Sequence, residues 1–276
     1  MPPSSTFETL PPIASAPFEC TAGHKNAGAV VVCDHASNAL PQGYGSLGLE
    51  PAEFANHIAY DVGAAHVARQ VAEALECPAI LCGFSRLFID ANRGLVDPTL
   101  IMELSDGRPV PGNQNLTADE IAMRIEDWYE PYHRAIDEEI NRLSVEETTP
   151  VLFSVHSFTP IWRGKERPWH VGILWDKDDR MVTPLLEGLR SVSGLCVGDN
   201  KPYSGDLPGD TMYRHGTARG RAHVLVELRH DLIGDASGQS VWAERLADLL
   251  RPLLVQPEIR AICHYGSRHD RSWEAS

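Results

Sequence analysis

The chain reads as short apolar runs that break off at polar residues, alternating with longer stretches of helical periodicity. Ala29-Val-Val-Val-Cys33 is too short for a helix, and its β-branched content fits a buried strand. It stops at Asp34-His35-Ala36-Ser37-Asn38. From Glu50 to Glu76 the apolar residues Phe54, Ile58, Val62, Val67, Val71 and Leu75 recur at near-helical spacing. Ala79–Cys82 and Leu87–Ile89 read as strands, the second ending at Asp90-Ala91-Asn92-Arg93. Val96 to Asn115, with Pro98, Pro109 and Pro111, reads as a long loop of the kind that often carries function.

Thr117-Ala-Asp-Glu120 has the pattern of a capping box. The helix it opens carries Ile121, Ile125, Trp128, Tyr132, Ile136, Ile140 and Leu143 on one face, and Pro131 inside it predicts a kink. Pro150 to Val155 reads as a strand ending at His156-Ser157, and Trp169 to Trp175 as another. A helix over Asp178–Val192, a weak strand at Leu195–Val197 and a Gly/Pro-rich loop over Asp199–Gly220 follow. Ala222–Leu228 is a strand containing Glu227, and Val241–Leu254 closes the pattern as an amphipathic helix. The segment from His264 reads as a loosely held polar tail. With no repeat and no linker, the alternation predicts one three-layer α/β domain over residues 29–256, its sheet mixed but largely parallel and its helices on both faces. Residues 1–28 form an extended N-terminal segment and 257–276 a C-terminal tail.

Composition narrows the class. In 276 residues, 38 Asp and Glu outnumber 24 Lys and Arg, a net charge of −14 that disfavours nucleic acid. No run reaches the ~18 apolar residues of a membrane helix, and the start lacks the pattern of a secretory signal. The six cysteines form no Cys-x-x-Cys pair, which suggests reduced thiols and a cytoplasmic protein.

Four apolar runs end in polar groups that packing does not need: Asp34-His35, Asn92-Arg93, His156 and Glu227. In open α/β sheets ligands sit beyond the carboxyl ends of the strands, so parallel neighbours would bring these groups to one crevice. Two imidazoles from separate strands suit a zinc ion, which in catalytic sites takes three protein ligands. Asn38 lies three residues after His35, whereas Asp61 is the chemically better anionic ligand. Glu227 can take a proton from an activated water, and Arg93, assisted by Asn92, can clamp a carboxylate.

The segments Val32-Cys-Asp-His-Ala-Ser-Asn-Ala-Leu-Pro41, His57-Ile-Ala-Tyr-Asp-Val-Gly-Ala64, Ser85-Arg-Leu-Phe-Ile-Asp-Ala-Asn-Arg93, Ser154-Val-His-Ser-Phe158, His170-Val-Gly-Ile-Leu174 and Val226-Glu-Leu-Arg229 together resemble the N-formylglutamate amidohydrolase family. That family is similar to zinc carboxypeptidases and to succinylglutamate desuccinylase-type deacylases. The resemblance implies a zinc-exopeptidase-like (phosphorylase/hydrolase-like) fold and one Zn2+ on His35 and His156. It also implies Asn92-Arg93 on the substrate carboxylate and Glu227 as base. The Glu of the related His-x-x-Glu motif is Asn38 here, which leaves the third ligand open between Asn38 and Asp61. The implied substrate is a small anionic N-acyl amino acid, N-formyl-L-glutamate foremost. Alternatives are a deacylase for another N-acyl amino acid and a metal-free binding protein on the same fold.

Other readings of the same residues stand beside these. Each histidine also fits a strand-end cap, Asn38 an Asx turn, and Asp61 a helix-face carboxylate. Arg93 also fits an ion pair with Asp90 or Asp97, and Arg86 a second anion contact. Tyr203 and Tyr213 are both placed to cover the site as proton donor or lid. Ser37 and Ser157 adjoin histidines, but no Gly-x-Ser-x-Gly elbow surrounds either.

Overall fold

A computed structural model describes residues 10–146 and 148–271. Seven strands build the main sheet: β1 (Phe18–Thr21), β2 (Ala29–Cys33), β3 (Ala79–Cys82), β4 (Val151–Phe158), β5 (Val171–Leu174), β6 (Val197–Asp199) and β7 (His223–Arg229). Their order is β1-β3-β2-β4-β7-β5-β6. The pairs β3–β2, β2–β4, β4–β7 and β5–β6 are parallel, whereas β1–β3 and β7–β5 are antiparallel. The sheet is thus mixed and mostly parallel. It takes in Phe18–Thr21, upstream of residue 29, as an edge strand.

Helices cover the sheet. They are α1 (Ala64–Ala74), α2 (Ala118–Arg124), α3 (Glu130–Leu143), α4 (Val182–Arg190), α5 (Thr211–His215) and α6 (Ala236–Leu254). Helix α1 packs on β2, β3 and β4 and on α6, which also meets α4, while α3 packs on β1, β2 and β3 and meets α5. Every residue of β2 is buried, as expected of a strand covered on both faces.

Several expectations change in physically instructive ways. The helical pattern from Glu50 to Glu76 splits into a 3-10 turn at Pro51–Ala55 and α1. Gly63 sits between them at φ 81°, and a Cβ there would lie 2.2 Å from the Ile233 carbonyl oxygen. Asp61 therefore falls in the break before α1, with its backbone N–H donating to the His35 carbonyl at 2.9 Å. It is not on a helix face.

Leu87–Ile89 is not a strand but a buried turn. Two of its three carbonyls are satisfied by side chains, since Asn113 donates to Leu87 and Arg124 to Phe88, each at 2.7 Å. Three apolar residues look like a strand in sequence, but here the backbone needs no ladder.

Thr117 accepts from the Glu120 N–H at 3.2 Å, as the capping box requires. Glu120 does not return the bond. Its Oε1 accepts from Tyr44 at 2.8 Å and from Arg124 at 2.9 Å. The irregularity foreseen at Pro131 is a π-helical turn over Ile125–Tyr129 between α2 and α3, which absorbs the hydrogen bond that proline cannot donate. The last helix starts earlier than expected, at Ala236, where Asp235 caps it by accepting from the Gly238 N–H. The described part of the tail is tied down: Arg268 N–H donates to Asp176 at 2.9 Å, and Ser267 is buried.

Candidate metal centre and active site

The carboxyl ends of β2, β4 and β7 are neighbours, and their polar residues meet in a cavity of about 360 Å³. His35, Asp61, His156, Glu227, Asn92, Arg93, Arg86 and Tyr203 all line it. Asn92 and Arg93 reach it from the loop after the Leu87–Ile89 turn rather than from a strand end.

His35, Asp61 and His156 form a buried cluster whose ligand atoms all lie within 4.8 Å of one another. His156 donates from both ring nitrogens, Nδ1 to Asp61 Oδ2 at 2.8 Å and Nε2 to Asp34 Oδ2 at 2.9 Å. Burial alone would lower its pKa, but these two carboxylates push it well above the ordinary value. His35 Nε2 donates to Asp90 Oδ1 at 2.7 Å. Its Nδ1 is buried without a hydrogen-bond partner, 3.4 Å from Asp61 Oδ2.

Both histidines thus turn Nδ1 toward one carboxylate oxygen, while a second carboxylate fixes each ring from behind. That is how metal-binding histidines are oriented. Further bonds hold the supporting carboxylates. Asp34 accepts from Thr211 Oγ1 at 2.5 Å, Tyr132 Oη at 2.9 Å and Ser154 Oγ at 3.2 Å. Asp61 accepts from the Ser157 N–H at 3.1 Å. Asp90 accepts from Arg86 Nη2 at 2.9 Å and from the Asn92 N–H at 2.9 Å.

Burial works to raise the pKa of Asp34, Asp61 and Asp90, yet their partners hold all three well below the carboxylate range. The main partners are His156 for Asp34, His35 for Asp61 and Arg86 for Asp90. The orphaned His35 Nδ1 and the N/O donor set fit zinc, which takes imidazole and carboxylate ligands.

Asn38 is not part of this cluster. Its Nδ2 donates to the Phe54 carbonyl at 2.7 Å, and it does not line the cavity. The reason is local: Ser37 Oγ accepts from the Ala39 N–H, so the chain turns away after His35. Arg86 borders the cavity but is engaged by Asp90 at 2.9 Å and Asp61 at 3.6 Å. Arg93 pairs with neither Asp90 nor Asp97. Its Nε donates to Thr99 Oγ1 at 3.1 Å and its Nη1 to the Asn92 carbonyl at 2.8 Å. Its own carbonyl accepts from Tyr129 Oη at 2.7 Å, and Asn92 Oδ1 accepts from the Thr211 N–H at 3.1 Å. His133 Nε2 lies 3.1 Å from the Ala91 carbonyl, completing a clamp on this loop from α3 and α5.

Glu227 stands beside His156 in register on the adjacent parallel strand. Its Oε2 is buried without a hydrogen-bond partner. Desolvation raises its pKa to about 8, partly offset by the His156 charge. Tyr203 lines the cavity from the loop over β5, and Tyr213 does not. Asn200 Oδ1 anchors that loop by accepting from the N–H groups of Trp175 and Gly205, each at 3.0 Å.

Residue types alone did not single out Asp34 and Asp90 as the supports of the two histidines. The only sequence signals were the Asp-His adjacency and the i,i+4 spacing of Arg86 and Asp90. Nothing in the sequence pointed to Asp210, which lines the same cavity.

Similar proteins bear on this arrangement. The chain is similar to the gene product Atu2144 from Agrobacterium tumefaciens, with 32% identity and a TM-score of 0.80 over 87% of this chain and 96% of that one. It shares its fold with an N-formylglutamate amidohydrolase from Ralstonia eutropha, at 22% identity and a TM-score of 0.60 over 86% and 97% of the two chains. No curated protein matches by sequence. Residues 27–234 match the family model described as N-formylglutamate amidohydrolase, most of the chain and every residue of the cluster. The chain therefore belongs to the N-formylglutamate amidohydrolase family, whose members hydrolyse amide bonds.

Proposed function

We propose that this protein hydrolyses N-formyl-L-glutamate to formate and L-glutamate with zinc held by His35 Nδ1, Asp61 and His156 Nδ1. The observation that carries the reading is the buried, unpartnered Nδ1 of His35 aimed at the carboxylate that also faces His156 Nδ1. When bound, zinc there supplies Lewis acidity toward the amide carbonyl and lowers the pKa of water.

The chain's own residues do the rest. Arg93 holds a substrate carboxylate by its free guanidinium edge, and Asn92 keeps the loop in place through the Thr211 N–H. Glu227, with a carboxyl near neutrality, accepts a proton from water and delivers it to the leaving amine nitrogen. Water's hydroxyl ends on the formyl carbon and its proton on the nitrogen as the C–N bond breaks. Arg86 positions Asp61 and Asp90. Tyr203 closes one wall of the cavity.

Six unpaired cysteines support a cytoplasmic enzyme. The test is a screen of N-acyl amino acids for released amine, with and without chelator and with metal content measured. Formate and glutamate released only by the metal-loaded protein support the reading. Equal turnover after complete metal removal sinks it.

A further inference from the structure

Arg167 follows the short hairpin of Ile161–Trp162 and Lys165–Glu166. Its side chain lies in a box of three rings, 5.1 Å from the centroid of Tyr203, 5.3 Å from Trp162 and 5.7 Å from Phe158. All three rings line the cavity that holds the histidine cluster. Arg167 is only 8% exposed. Its side chain donates a long hydrogen bond, Nη1 to Thr159 Oγ1 at 3.5 Å, and makes a polar contact with the Tyr203 hydroxyl.

Among the described residues no carboxylate lies within 4.0 Å of this guanidinium. Three other arginines drawn inward are compensated. Arg86 reaches Asp90 at 2.9 Å, Arg124 reaches Glu120 at 2.9 Å and Arg180 reaches Asp178 at 2.6 Å. A guanidinium cannot shed its charge, and burying one without a counter-charge is costly. Aromatic rings stabilise a cation but offer its N–H groups no acceptor as strong as a carboxylate. Arg167 stands behind the ring wall of the cavity, and Arg93, which lines the cavity itself, likewise has no carboxylate within 4.0 Å among the described residues. Neither guanidinium is in ion-pair contact with a carboxylate, although Arg93 lies within electrostatic reach of Asp90 and Arg167 of Glu227.

We propose that Arg167 binds a second carboxylate of the substrate, so that the site selects N-acyl derivatives of acidic amino acids. The main-chain carboxylate sits on Arg93 and the side-chain carboxylate on Arg167. This assignment rests on the amidohydrolase reading and adds to it the residue that sets side-chain specificity. The rings around Arg167 exclude water from the contact, which strengthens a bidentate pair and penalises a neutral amide that leaves the guanidinium unpaired.

N-formylglutamate and N-formylglutamine have nearly the same shape and differ in side-chain charge, so their kcat/KM ratio isolates the contact. The wild type is expected to favour the glutamate compound at least about tenfold, chiefly through KM. Arg167→Met, which can fill the aromatic box, brings the ratio to within about threefold of unity, and Arg167→Lys, which keeps the charge without the fork, retains part of it. A wild-type ratio near one, or a methionine variant that keeps the preference, overturns the assignment while leaving amide hydrolysis intact. A wild type that turns over neither compound sinks the amidohydrolase reading. In that event, calorimetric binding of glutarate against its monoamide to the wild type and to Arg167→Lys still decides the pocket: a glutarate preference that falls in the lysine variant upholds Arg167, and one that is absent or unchanged rejects it. The same comparison serves if the methionine variant does not fold.

Discussion

Glu227 and His156 stand side by side in register on neighbouring parallel strands, and the Glu227 carboxyl keeps one buried oxygen free of any hydrogen bond. A carboxyl left unpaired beside a histidine cluster is placed to move a proton rather than to brace the fold. Glu227→Gln keeps the shape and removes the base. Its turnover should fall about 10²- to 10⁴-fold while bound metal stays at the wild-type level. Steady-state kinetics with metal analysis of the same sample checks both halves. Unchanged kcat removes Glu227 from the reaction.

The third metal ligand is decided by a pair of substitutions. Asp61→Ala takes away the carboxylate that, among the described residues, lies between the two Nδ1 atoms and should abolish stoichiometric zinc. Asn38→Ala loses only the bond to Phe54 and should leave zinc content alone. Asp34→Asn weakens the support behind His156 and should cost about 10- to 100-fold in zinc affinity. Competition with a chelating indicator measures all three. Zinc loss in Asn38→Ala but not in Asp61→Ala would reverse the assignment.

Arg93 offers its guanidinium to the cavity while its backbone is clamped by Tyr129. Arg93→Ala should raise KM for N-formylglutamate by about 10- to 100-fold, the loss of a charge-assisted hydrogen bond. Its kcat should fall less. Substrate titrations settle this, and kinetics indistinguishable from wild type would leave Arg93 without a binding role.

Asp210 gives a prediction about pH. It caps α5 by accepting from the Tyr213 N–H at 2.7 Å, and desolvation raises its pKa to about 7 from an ordinary 3.8. Between these values the unfolded chain releases a proton that the folded state retains, so raising the pH across this window disfavours folding. The accumulated cost reaches roughly 4 kcal/mol near pH 7. Asp210→Asn keeps a good cap and does not titrate. The Tm advantage of the variant, measured without metal, should grow from about pH 4 to about pH 7 and then level off. A difference constant across that range would show that Asp210 does not titrate there.

The sequence by itself determined the alternation of strands and helices, the Thr117 cap, the irregularity near Pro131 and the residue types at the carboxyl ends of β2, β4 and β7. These follow from local periodicity and from apolar runs that end in His and Glu, and a parallel sheet puts such ends on one edge. Only the tertiary structure put Asp61, and not Asn38, beside the two histidines, because the break after Ala55 and the turn at Gly63 fold Asp61 back onto the His35 carbonyl. It also engaged Arg86 with buried carboxylates and turned Leu87–Ile89 into a side-chain-braced loop. Arg167 emerged only in three dimensions: its burial among three rings and the lack, among the described residues, of a carboxylate within 4.0 Å depend on contacts between residues far apart in the chain, which local periodicity does not encode.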